Sequence, residues 1–123
     1  MSKVKIYEYE KCDSCRKALK FLMQNEVEFE RVPIWERPPS RQELRAMLGY
    51  LDGDLRRLFN TSGQAYRELG IGEKMKSKSM SESEAIALLA GNGKLIKRPF
   101  LISGNTGTVG FKEAEWKKIF KRH

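Results

Sequence analysis

Cysteine is scarce in this chain, with Cys12 and Cys15 the two present in 123 residues. Two thiols three residues apart cannot form a scaffold of cross-links. A bond between them would close a very short loop, and the entropy a disulfide removes from the unfolded chain grows with loop length. Stability is a poor reason for that spacing, and reactivity is a better one. Histidine is scarcer still, with His123 alone at the end of the sequence. Tetrahedral zinc takes about four ligands, so a structural zinc site would need two chains to share the ion. No stretch approaches the ~18 apolar residues of a membrane span. No apolar h-region follows Met1-Ser2-Lys3-Val4, so neither membrane nor export is expected, and the expected location is cytoplasmic. Thiols stay reduced there, and a CxxC is more often catalytic or metal-binding than structural.

A long basic tract is also missing. The 24 Lys and Arg outnumber the 16 Asp and Glu, for a formal charge of +8. They are interleaved with acids, however, as in Glu113-Ala114-Glu115-Trp116-Lys117-Lys118. Such a surface permits an acidic partner without requiring one. With no base-reading motif in the sequence, direct nucleic-acid binding is not expected. What is present is an ordinary globular composition, 40% hydrophobic, of a length that fits a single domain over 1–123.

Lys3 to Tyr9 alternates in the manner of a strand, and Cys15 to Asn25 reads as a helix with Leu19, Leu22 and Met23 on one face. Glu28 to Ile34 supplies a second strand, so the chain opens as a βαβ unit whose strands should pair in parallel. From about 36 to 92 no strand pattern returns. Ser40-Arg41-Gln42-Glu43 and Ser81-Glu82-Ser83-Glu84 have capping-box form and open helices. Asp52-Gly53 is a break, Asp54 can cap a short helix, and Leu69-Gly70-Ile71-Gly72 reads as a further break. Pro99 to Ser103, a turn at Gly104-Asn105-Thr106-Gly107 and Thr108 to Phe111 form a hairpin. Lys112 to Arg122 closes the chain as a helix with Trp116, Ile119 and Phe120 on its apolar face. The expectation is an α/β fold, a four-stranded mixed sheet (βαβ…ββα) with a helical insertion.

A thiolate is the nucleophile in thiol exchange, and an ordinary cysteine is largely protonated at neutral pH. Cys12 falls at a helix N-terminus, where unpaired backbone N–H groups and the macrodipole favour an anion. Lys11, Arg16 and Lys17 add positive charge, which Asp13 partly opposes. Cys12 is therefore expected to ionise readily and attack, and Cys15, one turn inward, to resolve the mixed disulfide. Two inert core cysteines are the plainer alternative, since free cysteine often packs as a small hydrophobe. Lys97-Arg98-Pro99 is a second candidate. A cis Arg98–Pro99 bond would present backbone beside the cysteines, while the ordinary local reading is a proline opening an edge strand after an exposed arginine.

Taken together, Ile6-Tyr7, Cys12-x-x-Cys15-Arg16-Lys17-Ala18, Asn60-Thr61-Ser62-Gly63, Ile96-Lys97-Arg98-Pro99-Phe100-Leu101-Ile102 and Gly110-Phe111 with Glu115-Trp116 resemble the ArsC/Spx family over nearly the whole chain. The resemblance implies a thioredoxin-like fold, Cys12 as nucleophile, and Arg98–Pro99 as the family's arginine and cis-proline. Arsenate reductases of the family carry serine where this chain has Cys15, and use several arginines to bind the oxyanion. Arg98 matches one of them, Asn60 stands at the position of a second, and Phe111 or Lys112 replaces a third. These departures argue against efficient arsenate reduction. The favoured expectation is a thiol oxidoreductase with no bound cofactor. It would act on a small oxidised substrate, with glutathione or a thioredoxin/glutaredoxin-type reductant resetting the pair. The alternative is an Spx-type redox-sensing regulator that binds RNA polymerase through a surface including Gly53.

Overall fold

The computed structural model describes residues 3–121, so Arg122 and the zinc candidate His123 lie outside the described residues. Four strands form one sheet in the order β2-β1-β3-β4, comprising β1 (Val4–Glu8), β2 (Glu30–Pro33), β3 (Phe100–Ser103) and β4 (Thr106–Val109). β1 and β2 pair in parallel, β3 is antiparallel to both β1 and β4, and the sheet is mixed as expected. α1 (Asp13–Gln24) makes the β1-to-β2 crossover. Between β2 and β3 the chain forms α2 (Arg41–Tyr50), α3 (Gln64–Glu68), α4 (Ile71–Lys76) and α5 (Glu82–Gly91), with short 3-10 turns at Leu55–Leu58 and Gly93–Leu95. α6 (Glu113–Ile119) closes the chain. This is the thioredoxin-like arrangement that the βαβ and ββα patterns imply.

Strand alternation sorts the core into two layers. Val4 and Ile6 face α1 and α6, where they pack with Ala18, Leu19, Leu22, Leu101 and Trp116. Tyr7, Val32, Phe100 and Val109 face the helices of the insertion, meeting Leu44, Met47, Ile86 and Leu89. Trp116 is fully buried and donates its Nε1–H to the Gly110 carbonyl at 3.1 Å, so its polar edge is satisfied inside the apolar layer. Each such side chain contributes roughly 1.5–3 kcal/mol by leaving water. One polar tie crosses from sheet to insertion. Glu43 of α2 accepts from the Tyr7 hydroxyl at 2.7 Å and pairs with Lys5 Nζ at 2.8 Å.

Both capping boxes form, Ser40 with Glu43 and Ser81 with Glu84, each with reciprocal side-chain bonds. Other details differ from the sequence expectation. α1 begins at Asp13, because Cys12 itself is the N-cap. Asp54 precedes a 3-10 turn but makes no side-chain cap bond. The β3–β4 turn contains Gly104 and Asn105 alone, since Ser103 already pairs with Thr106 across it. Gly104 supplies the positive φ (62°) that so short a turn requires. Gly70 is a break as expected (φ 63°), but Ile71 restarts the chain as α4, with Ile71 fully buried. β3 is an internal strand, so Pro99 does not open an edge; its carbonyl instead accepts the Gly110 N–H at 2.8 Å.

Candidate functional site

The site is assembled where β1 ends. Cys12 follows the strand in extended conformation (φ −101°, ψ 118°), and its Sγ accepts the backbone N–H of Cys15 at 3.4 Å. A sulfur thus occupies the place a serine or aspartate oxygen takes at an N-cap, facing the unpaired donors of the first turn. Cys12 is half-buried, whereas Cys15 is fully buried. Burial pushes the Cys15 thiol up to about 12 from its ordinary 9.0, against a backbone hydrogen bond from Tyr9 that lowers it; Cys12 and the charge of Glu8 push it further up. Cys15 therefore holds its proton throughout the neutral range.

The charges around the pair are arranged differently from the sequence expectation. Arg16 sends Nη1 to Asp13 Oδ1 at 2.9 Å and Nε to the Glu10 carbonyl at 3.2 Å, so its guanidinium is committed to those two acceptors. Arg98 is half-buried, the Arg98–Pro99 bond is cis as the resemblance implies, and the guanidinium lies 5.3 Å from the centroid of the Tyr9 ring. Its Nε is buried without a hydrogen-bond partner. Tyr9 links arginine and cysteine, because its carbonyl accepts the Cys12 N–H at 3.1 Å. The other face of Tyr9 stacks on Trp35 at 4.0 Å and 14°, and Lys94 Nζ lies 4.8 Å from the Trp35 ring. Cation–π contacts of this kind are worth about 0.5–2 kcal/mol and hold Arg98 without spending its donors on a carboxylate.

Two predicted residues, Asn60 and Gly53, hydrogen-bond to neither thiol among the described residues. Asn60 folds into its own turn, its carbonyl accepting the Gly63 N–H and its Oδ1 the Ser62 hydroxyl. Gly53 is exposed at the far end of α2 with φ 78°. What sequence reasoning missed is a cleft of about 500 Å³ beside the start of α1, lined by Ser14, Arg56, Arg57, Lys97, Phe111 and Lys112 among others. Its four cations come from three separate segments, and their convergence has no linear signature. Also missed is Glu8, a charge on the same strand face as Val4 and Ile6, which is 6% exposed. Among the described residues no group of His, Cys, Asp and Glu is placed to hold a metal ion, and no helix is long and apolar enough to cross a membrane.

A half-exposed sulfur capping the crossover helix, a buried thiol one turn on, and a four-stranded mixed sheet define a thiol protein of thioredoxin-like architecture. Residues 7–119 match the ArsC family model. The uncharacterized protein YusI of Bacillus subtilis is 46% identical over 112 residues, covering 91% of this chain and 93% of that protein. The global transcriptional regulator Spx of Streptococcus pyogenes is 31% identical over 111 residues, covering 90% and 80%. The crystal structure of "a possible arsenate reductase" from Streptococcus mutans superposes with a TM-score of 0.88 at 35% identity, covering 98% of this chain and 100% of that one. The chain belongs to the ArsC family.

Proposed function

We propose that this protein is a thiol–disulfide oxidoreductase in which Cys12 attacks an oxidised sulfur and Cys15 resolves the mixed disulfide. The observation that carries this reading is the unequal exposure of two sulfurs within one helical turn. A nucleophile must be reached from outside, and a resolving thiol must be kept from competing for substrate. The cycle balances. Cys12 thiolate displaces one thiolate from the substrate disulfide, and Cys15 then displaces the second while the Cys12–Cys15 bond forms. Glutathione or a thioredoxin/glutaredoxin-type reductant returns two electrons to the pair. Arg98 and the cationic cleft, which includes Arg56 and Arg57, favour a small anionic substrate, whereas Asn60, turned into its own loop, supplies no guanidinium at the position the resemblance gives to a second arginine.

A coupled assay tests this, with NADPH oxidation followed through glutathione or thioredoxin. Turnover is expected with a model disulfide, little with arsenate, and none with Cys12→Ser. Absence of disulfide turnover with both reductants would overturn the reading.

A second reading draws on the likeness to Spx and on the exposed end of α2. In it, Cys12–Cys15 oxidation switches a surface that binds RNA polymerase. Retention of the polymerase by the oxidised chain, without disulfide turnover, would favour this regulator. Gly53→Arg is a poor probe of that surface, because φ 78° strains any side chain there. Gly49, exposed in the last turn of α2 with open space around it, changed to Arg perturbs the same end of the helix without that cost.

A further inference from the structure

The cationic cleft beside Ser14 is one end of a longer band. Lys17 and Lys20, both exposed on α1, line a second cleft of about 250 Å³. Lys117 and Lys121, also exposed, line a third of about 290 Å³ where the end of α6 meets α1. Phe111 is a wall common to the first and second clefts, and Phe21 to the second and third, so the three are continuous. Eight cations stand along them against two acids, Asp54 and Glu113, and Glu113 is already paired with Lys117 at 3.1 Å. Six of the chain's formal +8 therefore lie in this band. Acids gather elsewhere, as in the cleft of about 480 Å³ lined by Glu8, Glu10, Arg31 and Glu36, which shares no lining residue with the band. Charges that are interleaved along the sequence are thus sorted by folding.

A small substrate held at Cys12 cannot use the whole band. Lys20 is eight residues beyond Cys12, ~12 Å along the helix axis, and Lys121 lies past the far end of α6. A partner that reaches those lysines from the sulfur is a macromolecule. The aromatic walls favour protein over nucleic acid. Phe21, Phe111 and Phe120 pack against one another and Trp116, so they are not the outward stacking platforms that bases use. An apolar seam rimmed by charge is instead the anatomy of a protein interface. Position adds the chemistry, because the band begins in the first turn of α1, the helix that Cys12 caps. We propose that this band docks an acidic protein dithiol, which reduces the Cys12–Cys15 disulfide. The partner's thiolate attacks the half-buried Cys12 Sγ, the Cys12–Cys15 bond breaks, and the Cys15 sulfur takes up a proton. The partner's second thiolate then attacks the mixed disulfide and releases Cys12 as a thiolate. Two electrons enter the pair, and the partner leaves as its own disulfide. Opposite charge speeds the encounter and sets its orientation. This assignment rests on the roles proposed for Cys12 and Cys15, and it selects a protein reductant over glutathione, which is too small to span the clefts.

The test follows reduction of the intact oxidised protein by a reduced thioredoxin of net negative charge and, in parallel, by dithiothreitol, each sampled by acid quench and alkylation. Raising salt from about 20 mM to about 0.5 M shortens the Debye length several-fold. It should slow the thioredoxin ~10-fold and leave dithiothreitol within ~2-fold. The double variant Lys20→Glu with Lys121→Glu is compared at about 0.15 M salt, where Lys20 is more than a Debye length from the start of its helix. Both positions are exposed, so the fold should be kept. Thioredoxin should slow ~5-fold in this variant with dithiothreitol unchanged, which a direct effect on the sulfur would not produce. A thioredoxin rate indifferent to salt, or to the charge reversal, overturns the inference. Retention of a single-stranded oligonucleotide at the same salt, lost in the double variant, also overturns it by assigning the band to nucleic acid. If dithiothreitol itself regenerates no thiols from the oxidised protein, the roles given to the two cysteines fail first, and this inference with them.

Discussion

At the residue scale, Cys15 carries a consequence for stability that its neighbour does not. Burial, Cys12 and Glu8 all favour its neutral form, so the folded protein binds this proton more tightly than the unfolded chain does. The stabilisation is fully present below the ordinary value of 9.0 and is lost as pH rises toward about 12. Over that window each pH unit costs about 1.4 kcal/mol. Chemical-denaturation midpoints of wild type and Cys15→Ala, followed from neutral to strongly alkaline pH, should converge, because alanine has no proton to lose. Lysines and tyrosines titrate in both proteins and cancel in the difference. Parallel curves above pH 9 would show that Cys15 is better solvated than its surroundings indicate. Glu43 runs in the opposite sense. Burial opposes its charge, but hydrogen bonds from Lys5, the Ser40 N–H and Tyr7 outweigh that and hold the carboxyl below its ordinary value. Its contribution is therefore present at neutral pH and fades in acid.

At the element scale, three helices stop without the glycine that usually announces a stop. α1, α2 and α4 each end in paired 6→1 and 5→2 backbone bonds, with Glu26, Asp52 and Lys78 in the left-handed region at φ 55°, 57° and 57°. In α4 the bonds are Ser79 N–H to Lys74 and Lys78 N–H to Met75, at 3.0 and 3.3 Å. A left-handed non-glycine costs about 1–2 kcal/mol, and glycine returns ~0.4–1 kcal/mol of that as unfolded-state entropy. Lys78→Gly should therefore stabilise the protein by about 0.5–1 kcal/mol, read as a raised Tm; a lowered Tm would mean that the lysine side chain makes contacts worth more than the strain. These caps explain part of what the sequence concealed. Helix starts were legible, because Ser40 with Glu43 and Ser81 with Glu84 form a recognisable box. Two of these ends were legible as well, α1 at Asn25 and α2 at Asp52-Gly53, but the end of α4 was not, because a left-handed lysine looks like any exposed position. α4 was hidden for a related reason. Gly70 and Gly72 read as one break, yet only Gly70 has positive φ, and Gly72 is helical.

At the scale of the whole molecule, the insertion is locked to the sheet at a few close approaches. Gly93, after α5, lies so near the Ile34 carbonyl that an added Cβ would meet that oxygen at 2.0 Å. Gly107 of β4 is similarly hemmed by the Leu101 carbonyl at 2.6 Å and Met47 Cε at 2.9 Å. Backbone cannot yield as a flexible side chain can, so Gly93→Ala should cost about 2–3 kcal/mol, measured by urea denaturation; a loss below 0.5 kcal/mol would show the α5–β2 junction to be loose. In sequence, Gly93 reads only as a glycine that ends the helix before it. Its packing role depends on Ile34, some sixty positions earlier, and that proximity exists only in the folded chain. The thiol site divides in the same way. Cys12 and Cys15 stood out by residue type and spacing, whereas Arg98 stood out through the family resemblance, its local pattern favouring an ordinary strand start. Glu8, Tyr9, Trp35 and the cations of the cleft acquire meaning from neighbours distant in sequence.

Tyr9 touches every part of this arrangement. Its carbonyl takes the Cys12 N–H, its backbone bonds Cys15, and its ring lies between Arg98 and Trp35. A covalent bond between the two sulfurs acts on a backbone that both of them hold, next to a ring stacked on an indole. A change in tryptophan emission on oxidation, absent in Trp35→Phe, is the expected label-free readout of that coupling.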